Sequence, residues 1–114
     1  MTSQQPLNII ASLEISRDKE HQFRELAKCI FPPLANQTGW TLTSVWFISE
    51  EQCPTLKIQN QWNTAALTIE QLNSELESAF EQLIRKSPEY QNLLDELDAL
   101  TLEETLSYAY SYTL

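Results

Sequence analysis

The residues best suited to build a site are aromatic. Trp40 and Trp46 in one apolar run, Trp62 in the next, and Tyr108, Tyr110 and Tyr112 near the C-terminus recur at even spacing within their segments. Alternate residues of an extended chain share a face, so each set projects to one side of a strand, together with Ser44 and Asn60. Aromatic walls with a few convergent polar groups are the usual lining of a small-molecule pocket. Trp46, Asn60, Trp62, Tyr108 and Tyr110 are therefore the candidate ligand-binding residues. The Asn60 amide suits a carbonyl or enolate oxygen, and a tyrosine hydroxyl suits the same atom. The alternative is a plain core in which the rings fill space and each indole N–H or hydroxyl finds a backbone partner.

Other chemistry is sparse. His21 is the only histidine and the only side chain that titrates near neutrality by intrinsic pKa. It stands beside Lys19 and Glu20, where a solvated surface residue is the simpler reading than a base lacking an orienting partner. Cys29 and Cys53 have no histidine near them in sequence and no metal-ligand spacing, so they read as inert thiols and no zinc site is expected. From Ser87 onward Glu89, Asp95, Glu96, Asp98, Glu103 and Glu104 face no lysine or arginine. A divalent cation needs oxygens converging from a fixed loop. Asp95, Glu96 and Asp98 read instead as the solvated side of a short helix with Leu93, Leu94 and Leu97 inside. No catalytic residue, metal or cofactor is assigned.

Composition narrows the classes further. A chain of 114 residues is one domain, 1–114, with residues 1–6 as a flexible N-terminal tail. Hydrophobic residues at 42% against 20% charged give a globular rather than a disordered chain. Gly39 is the only glycine, which excludes a Gly-rich phosphate loop and a Rossmann fingerprint. Sixteen acids against seven bases give a net charge of -9, which argues against nucleic acid as partner. Met1 to Pro6 carries no basic residue, and the apolar stretch after it is broken by Asn8, Ser12 and Glu14. No signal peptide or membrane span is expected. Two thiols beside a competent core fit a reducing compartment, so the expectation is a soluble, cytoplasmic protein with no membrane partner.

The elements that must position the aromatics follow from hydrophobic period. Leu7 to Ser16 alternates as a strand. From Asp18 the spacing of Phe23, Leu26, Ala27, Ile30 and Leu34 is helical, with Asp18 or Ser16 as cap and Pro32-Pro33 as the end or a kink. Trp40 to Ser49 and Thr55 to Asn63 read as an antiparallel hairpin across the polar connection Glu50 to Pro54. Thr68-Ile69-Glu70-Gln71 matches a capping box opening a helix to Lys86 that buries Ile69, Leu72, Leu76, Ala79, Phe80 and Leu83. Ser87-Pro88 starts a further short helix reaching about Leu97, and Thr105 to Thr113 is the last strand. This βαββαβ order is the ferredoxin-like arrangement, α+β, with helices on one face of a four-stranded antiparallel sheet.

Strict alternation assigns Trp40, Leu42, Ser44, Trp46 and Ile48 to the helix-facing side. Ile10, Val45, Phe47 and Ala109 are then left on the open face. A sheet face this apolar with no layer to cover it marks a contact surface. Those four residues are the expected homodimer interface, with a half-solvated sheet as the alternative.

The element order, the Gly39-Trp40 lead into the second strand and the Asn60-Gln61-Trp62-Asn63-Thr64-Ala65-Ala66-Leu67 exit from the third resemble the dimeric α/β-barrel superfamily. Arg85-Lys86-Ser87-Pro88-Glu89-Tyr90 resembles the region of NIPSNAP-like members that reads Arg, two residues, Ser-Pro, one residue, Tyr or Trp, with one residue rather than two between Arg85 and Ser87 here. The resemblance implies a dimeric α/β barrel that binds a small apolar or aromatic molecule between sheet and helices. It also admits a cofactor-independent monooxygenase, isomerase or cyclase acting on an aromatic or polyketide-like substrate, or a non-catalytic dimeric interaction module. Many monooxygenase-type members carry a histidine in the helix after the third strand. Thr68 to Lys86 has none, which counts against that branch and against haem degradation.

Overall fold

The computed structural model describes residues 5–110. Its elements are β1 (Asn8–Ser16), a 3-10 turn (Arg17–Lys19), α1 (Glu20–Thr38), β2 (Thr41–Ile48), β3 (Thr55–Asn63), α2 (Ile69–Lys86), α3 (Glu89–Leu100) and β4 (Thr101–Ala109). The four strands form one antiparallel sheet in the order β2-β3-β1-β4, the ferredoxin-like α+β topology with one additional helix. Residues 1–4 of the expected tail, and Tyr112 in the expected continuation of β4, lie outside the described residues.

One face of the sheet carries the core. Ile9, Leu13 and Ile15 of β1 and Leu56, Ile58 and Trp62 of β3 are buried against Phe23, Leu26, Ile30 and Leu34 of α1 and Leu72, Ala79 and Leu83 of α2. The period of 2 in the strands and 3.6 in the helices brings these apolar sets together. Ile69, expected inside, is exposed at the first position of α2. Thr68 does cap that helix, accepting from Gln71 N at 3.0 Å. The Gln71 side chain reaches back one residue further than in a capping box and accepts from Leu67 N at 3.1 Å.

α1 corrects two expectations. No side chain caps its start, because the 3-10 turn runs directly into it and the N-cap position is Lys19. Pro32 and Pro33 lie inside the helix, which continues to Thr38. Each proline deprives the carbonyl four residues earlier of its donor. Those carbonyls belong to Lys28 and Cys29, both exposed, a position where solvent is available to replace the lost donor. The true end is at Gly39, whose φ of 76° provides the left-handed closing position and whose N–H donates to Ala35 O at 2.9 Å.

β2 overturns the face assignment. Leu42 pairs with Trp62, but Ser44 pairs with Gln61 and Val45 with Asn60, so Thr43 is an extra residue on β2. A bulge of one residue exchanges the two faces beyond it. Val45 and Phe47 therefore lie on the helix side, and Ser44, Trp46 and Ile48 lie on the open side. Phe47 is covered by α1: its ring meets Phe23 edge-on at 6.0 Å, and the Arg24 guanidinium sits 4.1 Å over its centroid. Of the four residues expected on the open face, only Ile10 and Ala109 are there, pairing with Ser107 and Asn8 respectively.

β4 begins four residues earlier than its alternation suggests. α3 runs to Leu100 rather than Leu97 and β4 starts at Thr101, with no loop between them. The Thr101 hydroxyl donates to Leu97 O at 2.7 Å and closes the last turn of the helix. Backbone pairing to the free edge of β1 needs no apolar alternation, so Thr101–Glu104 joins the ladder despite its polar sequence, with a register shift opposite Glu14 and Ile15.

Candidate functional site

A cavity of about 250 Å³ lies between the sheet and the three helices. Its floor follows from side-chain size along β1. Ile9, Ala11, Leu13 and Ile15 share the helix face, and Ala11 is the only small residue among them. Ala11 is flanked by Asn60 on β3 and Leu106 on β4. The missing side-chain volume at that point, roofed by Ile30, Phe31, Leu76 and Phe80, is the cavity.

Asn60 is the polar group inside it. The residue is only 3% exposed, and its Oδ1 accepts from Trp62 Nε1 at 2.8 Å. An indole N–H is donor only, so the oxygen of the amide must face Trp62. The Nδ2 group is thereby directed away and has no acceptor among the described residues. No side-chain polar atom sealed from solvent among the described residues lacks a partner, so the Nδ2 group keeps access to the open space of the cavity. Trp62 is fixed in turn by Phe31, edge-on at 5.6 Å. Trp40, also in the lining, donates from Nε1 to Glu75 Oε2 at 3.3 Å.

The candidate residues thus divide. Asn60 and Trp62 line the cavity. Tyr108 is on the helix side but outside the cavity, with its hydroxyl 3.2 Å from Asn73 Oδ1 on α2. Trp46, turned outward by the bulge, is 64% exposed, and Tyr110, beyond the end of β4, is 71% exposed. His21 is exposed on α1. Cys29 and Cys53 are free thiols. Thr55 Oγ1, 3.3 Å from Cys53 Sγ, holds that thiol's pKa below its ordinary value.

Sequence reasoning missed Ala11, Asp98 and Glu104, all in the lining. Ala11 was detectable as the small residue in an otherwise large-residue strand face. Asp98, in the last turn of α3, and Glu104, near the start of β4, are exposed residues at the cavity mouth. The junction without a loop brings them to the same opening. From the register, Asn60 and Glu104 are about 12 Å apart at Cα, two strand spacings across and one pleat repeat along. Among the described residues no group of three or more His, Cys, Asp or Glu is arranged to hold a metal ion, and no helix is long and apolar enough to cross a membrane.

The family-like motifs have structural roles. Thr64 Oγ1 donates to Leu7 O at 2.6 Å and accepts from Ala66 N at 3.1 Å, while Leu7 N donates to Ala66 O at 2.8 Å. The exit of β3 is thereby tied to the start of β1. Tyr90 is buried and donates from its hydroxyl to Ile30 O at 2.8 Å, fixing α3 to α1 beside the cavity. Desolvation pushes its pKa up to about 12.

No family model and no curated protein matches the sequence. Solved structures do match the fold. A NIPSNAP family protein from Agrobacterium tumefaciens aligns over 98% of this chain and 90% of its own, with a TM-score of 0.68 at 12% identity. A NIPSNAP domain protein from Burkholderia xenovorans aligns over 93% and 94% respectively, with a TM-score of 0.67 at 11% identity. A conserved protein from Methanosarcina mazei aligns over 96% and 95%, with a TM-score of 0.51 at 15% identity. The chain has the NIPSNAP-like, ferredoxin-like fold over nearly its whole length.

Proposed function

We propose that the protein binds a compact, mostly apolar or aromatic molecule in the cavity between sheet and helices. The observation that carries this reading is the Asn60 amide, locked by Trp62 with its NH₂ unpaired at the cavity. That group suits a carbonyl or ether oxygen, and the surrounding walls suit one or two rings. An apolar cavity of about 150 Å³ already takes a benzene, so about 250 Å³ accommodates a substituted ring or a small bicycle rather than a large polycycle. The enzymatic alternative needs a titratable group at the reacting atom. The titratable side chains of the lining, Asp98 and Glu104, stand at its mouth, and the proposal rests on binding.

Titrating one- and two-ring aromatic carbonyl compounds against the intrinsic fluorescence of Trp40 and Trp62 tests it. Saturable quenching is expected, weakened about fivefold in Asn60→Ala, the typical net value of one hydrogen bond. Ala11→Leu should fill the floor and abolish quenching with stability unchanged or raised. Absence of saturable quenching by any compound with the unmodified protein would reject the reading.

Self-association through the open sheet face is the second part of the proposal. With the bulge taken into account, its apolar members are Ile10, Trp46, Ile48 and Ala109. Trp46→Lys should shift the protein toward monomer in light scattering, because a lysine packed into that interface is an unpaired charge. An unmodified protein that is already monomeric at micromolar concentration would refute this part.

A further inference from the structure

We infer that the cavity selects a cationic ligand: an amine carried on an apolar or aromatic body, with a hydrogen-bond acceptor at the end remote from the charge. This rests on the cavity-binding reading above and adds the charge of the ligand to it. The lining contains no lysine, arginine or histidine, and its charged members are Asp98 and Glu104. Neither carboxylate makes an ion pair among the described residues. Asp98 is also in the last turn of α3, where no basic residue offsets it. The C-terminal end of a helix carries partial negative charge, so the carboxylate and the helix end place the same sign of potential at one opening.

Asn60 supplies the second, independent feature. The residue is almost wholly buried, its Nδ2 makes no hydrogen bond among the described residues while keeping access to the cavity, and it presents donors only, which suits an acceptor at the inner end. The arrangement therefore has a donor inside, apolar walls between, and negative charge at the mouth. A carboxylate or phosphate ligand would be repelled at the mouth and would find no cation inside. An aryl alkyl amine bearing an ether or carbonyl matches all three parts, with its ammonium group left in partial contact with water.

Three compounds of one shape separate the possibilities by titration calorimetry: para-methoxyphenethylamine, para-methoxyphenethyl alcohol and para-methoxyphenylpropionate. The amine should bind about tenfold more tightly than the alcohol at low ionic strength, as expected for two partly exposed carboxylates acting together. The propionate should bind more weakly than either. Added salt should narrow the gap between amine and alcohol, since exposed charges are screened. In the double variant Asp98→Asn, Glu104→Gln the advantage of the amine over the alcohol should be lost. Both positions are exposed, so the fold is not at stake, and circular dichroism verifies it. Equal binding of amine and alcohol, or an amine preference that survives the double variant, overturns the charge selection and leaves the cavity reading intact. Failure of all three compounds to bind overturns both.

Discussion

Trp62→Ala should destabilise the protein by about 3–5 kcal/mol, the range for removal of a buried tryptophan, measured as a shift in the denaturant midpoint at unchanged slope. The loss has two sources. The indole fills the helix side of β3 against Phe31, so its removal enlarges an existing cavity that α1 must collapse onto. Its N–H is also the donor that holds Asn60 Oδ1, and truncation leaves that buried oxygen without its donor. Trp62→Phe separates the two: it keeps most of the ring packing and loses the donor, and should cost about 1–2 kcal/mol for the stranded acceptor. Ligand quenching should be lost in the alanine variant and weakened in the phenylalanine one, because the amide is then free to rotate. A cost below about 1 kcal/mol for Trp62→Ala would mean that the indole does not pack as described.

Alkaline pH should expose the second large effect, through Tyr90. Its folded pKa is raised by burial to about 12, against an ordinary value of 10.0. Below about pH 10 both folded and unfolded states hold the proton, and the tyrosine contributes no pH dependence. Between about pH 10 and about pH 12 the unfolded state loses the proton first, so stability falls as pH rises, by about 1.4 kcal/mol per pH unit and roughly 2–3 kcal/mol in all. The measurable quantity is the difference between the unmodified protein and Tyr90→Phe, in which every contribution other than that of Tyr90 cancels. At neutral pH the variant should be less stable by about 1 kcal/mol, having lost the bond to Ile30 O. At about pH 12 the order should reverse. Parallel stability curves across that interval would show that Tyr90 is not held neutral by its surroundings.

Much of the fold was legible because its elements differ in hydrophobic period. β1, β3, α1 and α2 announce themselves through Ile9-Leu13-Ile15, Leu56-Ile58-Trp62 and the helical spacing of Phe23-Leu26-Ile30-Leu34. β2 was not legible in the same way. Leu42, Trp46 and Ile48 alternate against Val45 and Phe47, so either face is apolar enough to be the inner one. Only pairing with β3 shows the extra residue at Thr43. The same ambiguity displaced Trp46 from the site and Phe47 from the open face. Asn60 and Trp62 were placed on the correct side because β3 pairs with β1 without a shift. Asp98 escaped because a helix C-terminus is read as solvent until the next strand is known to start at once.

The bulge in β2 has a consequence for how such a protein can diverge. No residue of Thr41–Ile48 belongs to the cavity lining, and β2 lies at the sheet edge, bonded only to β3. Losing or gaining one residue at position 43 would exchange Trp46 and Phe47 between the two surfaces while the β3-β1-β4 ladder stayed in register. Insertion and deletion in this strand can therefore remodel what the open face presents without altering the chamber behind it. The contribution of β2 to the open face is encoded apart from the cavity lining, and mutation can rewrite it while the chamber is inherited unchanged.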